Sequence, residues 1–265
     1  MEVLQDSAAP SAREVYGALA PYYDAFTGHP SYGAWVTRLE ALARTHGLTG
    51  RRALDVGCGT GKSSEPLLGL GYQVTGYDPV AAMLATARAK LGGRARLVGG
   101  SPAELALLGP FDYVSCLNDV CNYFLSPEAL GEALGQLAAA MRPGALLVFD
   151  ANTETMYRTA LRTVRCVDSD GALVVLRGDG DGDFEAGGLA TVRFDVFVPT
   201  DQGLYQRTTL RDVQRHHPED VVREALDAAD LRLTGLYGHC DDGVPVAPLD
   251  PNLHTKAIYV TTRAA

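Results

Sequence analysis

Basic residues are scarce. In 265 residues, 23 Lys and Arg stand against 32 Asp and Glu, a formal charge of −9. Polyanions are steered by basic faces, so nucleic acid and anionic membrane are not expected partners. Cysteine is sparse and odd in number: Cys58, Cys116, Cys121, Cys166 and Cys240, with no CxxC pair. Neither a zinc site nor a disulfide framework is indicated. Cys116 and Cys121, in apolar surroundings, read as buried thiols, and a reducing cytoplasm is the expected setting. MEVLQDSAAPSAREVY has no basic stretch followed by an apolar one, so it is read as no signal peptide. No run approaches the roughly 20 apolar residues that span a bilayer. The G-x-x-x-x-G-K-[ST] phosphate loop is missing, as are internal repeats. The tract 179-DGDGD-183 lacks the sixth-position Gly and distal Glu of a calcium loop and reads as a solvated hairpin turn. His216 and His217 precede 218-PEDVVREAL and read as the edge of a helix start rather than as metal ligands; no metal site is expected.

What is present is an ordinary globular composition, 46% hydrophobic and 21% charged. That is enough for one core with an appended lid. From 53 to 150 strand and helix patterns alternate. Strands are expected at 53–57, 73–77, 95–99, 111–117 and 145–150, with helices near 62–69, 79–91, 103–108 and 127–141. This is the signature of βαβ units and a doubly wound α/β sheet. Ser126-Pro127 marks a helix start, and 142-RPGA-145 a stop before the fifth strand. Upstream, 13–46 reads as two helical segments broken around 27-TGHPS-31. Downstream the period changes: 173–178, 191–199 and 204–210 alternate apolar and polar residues like antiparallel hairpins. A helix at 218–229 and strands at 231–237 and 256–262 close the chain.

The stretch 53-ALDVGCGTGKSSEPLLGLGYQVTGYDPVAAML-84 carries the chemistry. A strand, a glycine turn and a helix, with an acid after the next strand, is the layout of a nucleotide site. Glycines let the backbone approach the ligand and the acid accepts from ribose hydroxyls. Dinucleotide loops want G-x-G-x-x-G, whereas here Gly57, Gly59 and Gly61 alternate and Lys62 takes the sixth place. Asp55, two residues before the first glycine, would face a pyrophosphate unfavourably. It suits a ligand with positive charge on that side, an ammonium or sulfonium. The loop is therefore read as built for S-adenosylmethionine rather than for NAD.

On DVGCGTG (55–61), GYDPVAAMLATAR (76–88), FDYVSCLNDVCNYF (111–124) and RPGALLVFD (142–150), the chain resembles the Rossmann-like class I S-adenosylmethionine-dependent methyltransferases. The resemblance implies a mostly parallel seven-stranded sheet, with an N-terminal helical lid over 1–50. The core would be 51–160 and 212–265, and an inserted antiparallel layer, 161–211, would cover the substrate site. By position, Asp55 orders the loop and reaches the cofactor's amino group, while Gly57, Cys58 and Gly59 pass under the ligand. Asp78 and Pro79 take the ribose side, with Asp78 also fitting a helix N-cap. Met83 packs on adenine or is plain core. Ser101 and Pro102 stand where the family often has an adenine-binding Asp, and Leu117 and Asn118 border the fourth strand.

The tyrosine pattern in 14-EVYGALAPYYDAF-26 and the inserted hairpins resemble bacterial small-molecule N-methyltransferases that modify amino sugars and lincosamide-type antibiotics. That resemblance implies Tyr16 and Tyr23 in a lid and Asn122, Tyr123 and Phe124 at the methyl. Members of that group often carry His where Tyr123 stands, so a histidine base is not implied. Positioning supplies most of the rate in methyl transfer. Phe124 is as readily core as site, Asp119 orders its loop or touches ligand, and His239 is a minor candidate base. The expectation is methyl transfer to an amine of a small molecule by a homo-oligomer. The alternatives are O-methylation of a natural-product hydroxyl, or cofactor binding for cyclisation or scaffolding.

Overall fold

A computed structural model describes residues 12–27, 32–159, 162–169, 171–178, 184–239 and 243–264. The expected break at 28–31, the turn at 179–183 and Cys240 lie outside the described residues. Three helices, rather than two segments, precede the first strand: α1 Ala12–Leu19, α2 Tyr23–Phe26 and α3 Tyr32–Thr45. Next come β1 Arg52–Val56, α4 Ser64–Gly69, β2 Gln73–Tyr77, α5 Ala81–Leu91, β3 Arg96–Val98, β4 Phe111–Cys116, α6 Pro127–Ala140 and β5 Met141–Asn152. Then follow α7 Glu154–Arg158, β6 Arg165–Ser169, β7 Ala172–Gly178, β8 Leu189–Pro199, β9 Tyr205–Arg215, α8 Glu219–Ala228, β10 Leu231–His239 and β11 Lys256–Arg263.

Seven strands form one sheet in the order β10-β11-β5-β4-β1-β2-β3, with β11 antiparallel to both of its neighbours. This is the mostly parallel α/β sheet that the alternating pattern predicts. The order reverses between β1 and β4, and the carboxyl ends of those two strands frame the crevice where open α/β sheets bind ligands. One face packs on α6 and α8 through Leu130, Leu134, Leu137, Val222 and Leu226. The other packs on α3 through Trp35, Val36, Leu39 and Ala43. Strands buried on both faces read as continuous apolar runs, which is why 53–57 and 145–150 are legible.

Local departures have local causes. Residues 102–108 form a 3₁₀ helix, capped by the Ser101 hydroxyl, which accepts from the Ala103 N–H at 3.3 Å. β5 begins at Met141 rather than 145: Phe111 pairs with Met141 and Tyr113 with Leu146, so Pro143-Gly144 is accommodated in a bulge. Asp78 is not the N-cap of α5; Val80 is, and its N–H donates to Asp78 Oδ1 at 2.8 Å.

A second sheet, β6-β7-β8-β9, is wholly antiparallel and gains β6, which the sequence pattern does not announce. Its inner face, with Val174, Val192, Phe194 and Val196, closes on Val15 and Leu19 of α1 and on Phe26. β9 runs on to Arg215, past the expected boundary at 211. α1 and α2 are thus held between the second sheet and the α5 side of the first. Among the described residues no helix is long and apolar enough to cross a membrane.

Candidate active site

The glycine turn leaves β1 and passes β2. Gly57 and Gly59 have φ of +69° and +52°, the left-handed region that glycine enters at little cost. A Cβ on Gly57 would come within 2.5 Å of Val120 Cγ2, so the turn also needs Gly57 to let the loop after β4 approach. A Cβ on Gly59 would meet nothing within 4 Å, and the space above it is open. Asp78 borders that opening through its bond to the Gly59 N–H.

Asp55 is buried at the end of β1. The Ser63 and Ser64 hydroxyls each donate to its Oδ2 at 2.6 Å, and Ser115 donates to Oδ1 at 3.0 Å. Burial lifts its proton affinity and the three hydroxyls pull it back. Asp78 accepts from the Gly59 N–H at 2.9 Å through Oδ2, tying the turn to the end of β2. Burial raises this carboxyl as well, against two backbone donors. Pro79 follows Asp78 in the turn before α5. Cys58 is buried against Gly76. Met83 is buried with Ala20 and Val80, and Tyr16 and Tyr23 pack on that cluster.

The short helix α2 lies over the turn. The Thr60 hydroxyl donates to Asp24 Oδ1 at 2.5 Å, and the Lys90 ammonium pairs with the other oxygen. Lys62, the residue that replaces the third glycine of a dinucleotide loop, donates to the Thr27 carbonyl at 2.7 Å. Its position therefore serves the docking of the N-terminal helices.

Across the crevice, Asn118 and Asp119 both adopt left-handed backbone, φ +67° and +58°. Non-glycine residues persist there when surroundings enforce it, and Asp150 does so. Its Oδ1 accepts from the Asn118 N–H at 2.5 Å and its Oδ2 from the Asp119 N–H at 3.0 Å. Lys256, at the start of β11, donates to Asp150 at 2.6 Å and to Asp119 at 3.0 Å. Burial works against the Lys256 charge, but Asp119 and Asp150 more than offset it and hold its proton tightly.

Tyr16, Tyr23 and Tyr123 converge over this loop. Asn118 Nδ2 donates to the Tyr23 hydroxyl at 3.3 Å. Tyr123 donates to Asp212 Oδ2 at 2.7 Å, and its hydroxyl is also bonded to that of Tyr16. Because the Tyr123 hydroxyl donates to Asp212, Tyr16 is the donor in the phenol pair. Gln214 Nε2 reaches Asp119 Oδ2 at 2.6 Å and the Tyr123 hydroxyl at 3.0 Å. Burial, with the nearby carboxylates, pushes the phenols of Tyr16 and Tyr123 well above their ordinary range, so both stay protonated. Burial also lifts Asp212 to about 7; Tyr123 opposes this and Asp119 adds to it.

The other expected residues lie further out. Asn122 is fully buried with its amide committed to scaffolding, donating to the Arg215 carbonyl at 2.8 Å and accepting from the Asn152 N–H at 2.9 Å. Phe124 packs on the α6 core, and the side chain of Leu117 sits in the α3 core. In the structure the side chains of these three serve as framework. Ser101 and Pro102 are exposed beyond β3. His239 packs on Trp35, 5.5 Å between ring centres, and is paired across the sheet with Lys256. His216 lies edge-on to the stacked rings of Tyr157 and Phe184, and burial drops it to about 4. Among the described residues no cluster of three or more His, Cys, Asp or Glu could hold a metal.

Asp212, Gln214 and Lys256 are absent from the sequence reading. For the first two a signal exists. β9 places Leu210, Asp212 and Gln214 opposite Phe194, Val192 and Ala190, so two polar residues occupy inward positions of an alternating strand.

Residues 53–144 match the family described as "Methyltransferase domain". A putative methyltransferase of Geobacillus is 30% identical over 142 residues, 52% of this chain and 58% of that protein. The putative methyltransferase YqeM of Bacillus subtilis is 24% identical, covering 88% of this chain and 93% of its own length. A ubiquinone biosynthesis O-methyltransferase of Caulobacter is 33% identical across 48% of this chain and 49% of its own. With the first and third, the chain spans about half of the relative, 58% and 49%. In fold the chain is similar to an S-adenosylmethionine-dependent methyltransferase of Clostridium acetobutylicum, with TM-score 0.76, 19% identity, and 95% and 100% of the two chains covered. It also resembles CalS10 of Micromonospora echinaspora, an amino pentose methyltransferase involved in calicheamicin biosynthesis (TM-score 0.68, 22% identity, both chains covered completely). KedS8 of Streptoalloteichus, a sugar N-methyltransferase, has TM-score 0.67 and 20% identity over 100% and 97% of the chains.

Proposed function

We propose, from the match of residues 53–144 to the methyltransferase domain family, that the chain transfers the methyl group of S-adenosylmethionine to an amine of a small molecule. An amino sugar or related secondary metabolite is the substrate class. The bound cofactor supplies a methyl activated on a sulfonium. On this reading Gly57 and Gly59 leave room for it, Asp78 takes the ribose, and Met83 takes the adenine side. Asp55, ordered by three serines, gives its end of the crevice negative charge.

One observation carries the choice of an amine. Around the tyrosines stand Asp119, Asp150 and Asp212, against the single ammonium of Lys256. A crevice with excess negative charge attracts an alkylammonium. It disfavours turning a hydroxyl into an oxyanion beside three carboxylates. The amine-modifying folds similar to this chain agree with that choice. With the acceptor aligned by the tyrosine lid, proximity supplies the larger part of the rate.

Labelled-methyl transfer against matched panels of amines and alcohols, together with calorimetry of S-adenosylhomocysteine, tests the proposal. Transfer to amines with micromolar product binding is expected. Transfer confined to alcohols would move the chain to O-methylation, the activity named for its ubiquinone-pathway relatives. Tight cofactor binding with no transfer would move it to a non-methylating role.

A further inference from the structure

We propose that Asp212 is the proton acceptor that converts the incoming ammonium to a nucleophilic amine, through the hydroxyls of Tyr123 and Tyr16. The inference rests on the amine reading above and adds a residue and a route to it.

The same charge that recruits an ammonium also tightens its hold on its proton. A protonated nitrogen has no lone pair to offer, so a crevice lined with carboxylates must also remove a proton. Among the carboxylates there, Asp150 accepts two backbone N–H groups and Lys256, and Asp119 accepts from Lys256 and Gln214. Asp212 differs. Its Oδ2 accepts from the Tyr123 hydroxyl, while its Oδ1 is buried with no well-formed hydrogen bond among the described residues, the neighbouring Val213 N–H being the further donor beside the carboxyl. A buried carboxylate oxygen left unpartnered is costly and is relieved when the group is protonated.

The groups facing Asp212 are Tyr123 and Asp119 from the loop after β4, Tyr16 from α1, Tyr157 from α7 and Gln214 from its own strand. Lys256 stands behind Asp119 and pairs with it. Asp212, lifted by burial to about 7, ionises near neutrality, where a proton acceptor is most effective.

The step balances. The ammonium gives its proton to the Tyr16 oxygen as Tyr16 passes its own to Tyr123, and Tyr123 passes its own to Asp212 Oδ2. Both phenols end as they began, the carboxylate becomes a carboxylic acid, and the amine gains its lone pair. That pair forms the N–C bond as the S–C bond of the sulfonium breaks, its electrons remaining on sulfur. No charge is created within the crevice during the relay.

The test uses the best amine from the transfer panel. In the parent, kcat should rise with pH through about 7 as Asp212 ionises. Asp212→Asn should lose about 10²–10³-fold in kcat and the rising limb with it. Its S-adenosylhomocysteine affinity should change less than about threefold, because the cofactor residues are elsewhere. Asp212→Glu should restore part of both. Tyr123→Phe, which keeps the ring and cuts the relay, should lose the same limb and guards against misfolding of the aspartate variant. Carboxyl-carbon NMR of the ligand-free protein should show one group titrating near 7 that is gone in Asp212→Asn. Amine transfer with an unchanged limb in both variants overturns this inference and leaves the amine reading standing. A protein that methylates only alcohols, or nothing in the panel, removes the premise and the inference together.

Discussion

Asp212→Asn should stabilise the fold, and increasingly so as pH rises. In the native protein this carboxyl sits at about 7 against an ordinary 3.8, chiefly because burial penalises its charge. The native state thus binds the proton more tightly than the unfolded chain. The stability linked to that proton is complete below pH 3.8 and is lost progressively as pH climbs through 7. Each tenfold difference in proton affinity is about 1.36 kcal/mol. Ionising Asp212 therefore costs on the order of 4 kcal/mol, of which roughly 2–3 kcal/mol falls between pH 5 and pH 8. Asparagine carries no such penalty and still offers an oxygen to Tyr123. Other titrating groups are common to both proteins and cancel in the difference. The advantage of the variant should widen by roughly 5–10 °C in melting temperature between those two pH values. Thermal melts of parent and variant at pH 5 and pH 8 measure it directly. Parallel pH dependences would refute the placement of an ionisable, poorly solvated carboxyl at this position.

Lys256→Met removes the ammonium that balances Asp119 and Asp150 and should cost about 3–5 kcal/mol, read by urea melts. The loss should be larger at pH 8 than at pH 5, since the stranded carboxylates resist ionisation. Gly57→Ala meets Val120 at 2.5 Å as well as an unfavourable φ and should cost about 2–4 kcal/mol; Gly59→Ala, with open space above it, should cost only about 1 kcal/mol. Yet Gly59→Ala should weaken S-adenosylhomocysteine in calorimetry by at least tenfold, because the new methyl stands in the ligand's place. Asp78→Ala should weaken the same ligand by roughly 10–100-fold, since it loosens the turn through Gly59 as well as losing the ribose partner.

The glycine-turn side of the crevice is legible because its signals are short-range. β1, its glycine turn and Asp78 lie within 27 residues and declare their geometry by residue type. The tyrosine side is assembled across the chain. Gln214 meets Asp119 over 95 positions and Lys256 meets it over 137, distances that no local pattern spans. Asn122 and Phe124 read as site residues because they flank Tyr123. The 3₁₀ turn over Val120–Tyr123 instead sends the Asn122 amide and the Phe124 ring inward. β6 escapes notice because Arg165–Ser169 alternates too weakly to be told from loop.

β9 gives the molecule a constraint that any attempt to exchange its acceptor preference will meet. Its first half is the rim of an outlying sheet and its last turn of residues is wired into Asp119 and Tyr123. A transplanted hairpin layer from another such protein would bring a new roof but sever those wires unless Asp212 and Gln214 travelled with it in register. On the proposed reading, that roof and those two side chains move only as one unit.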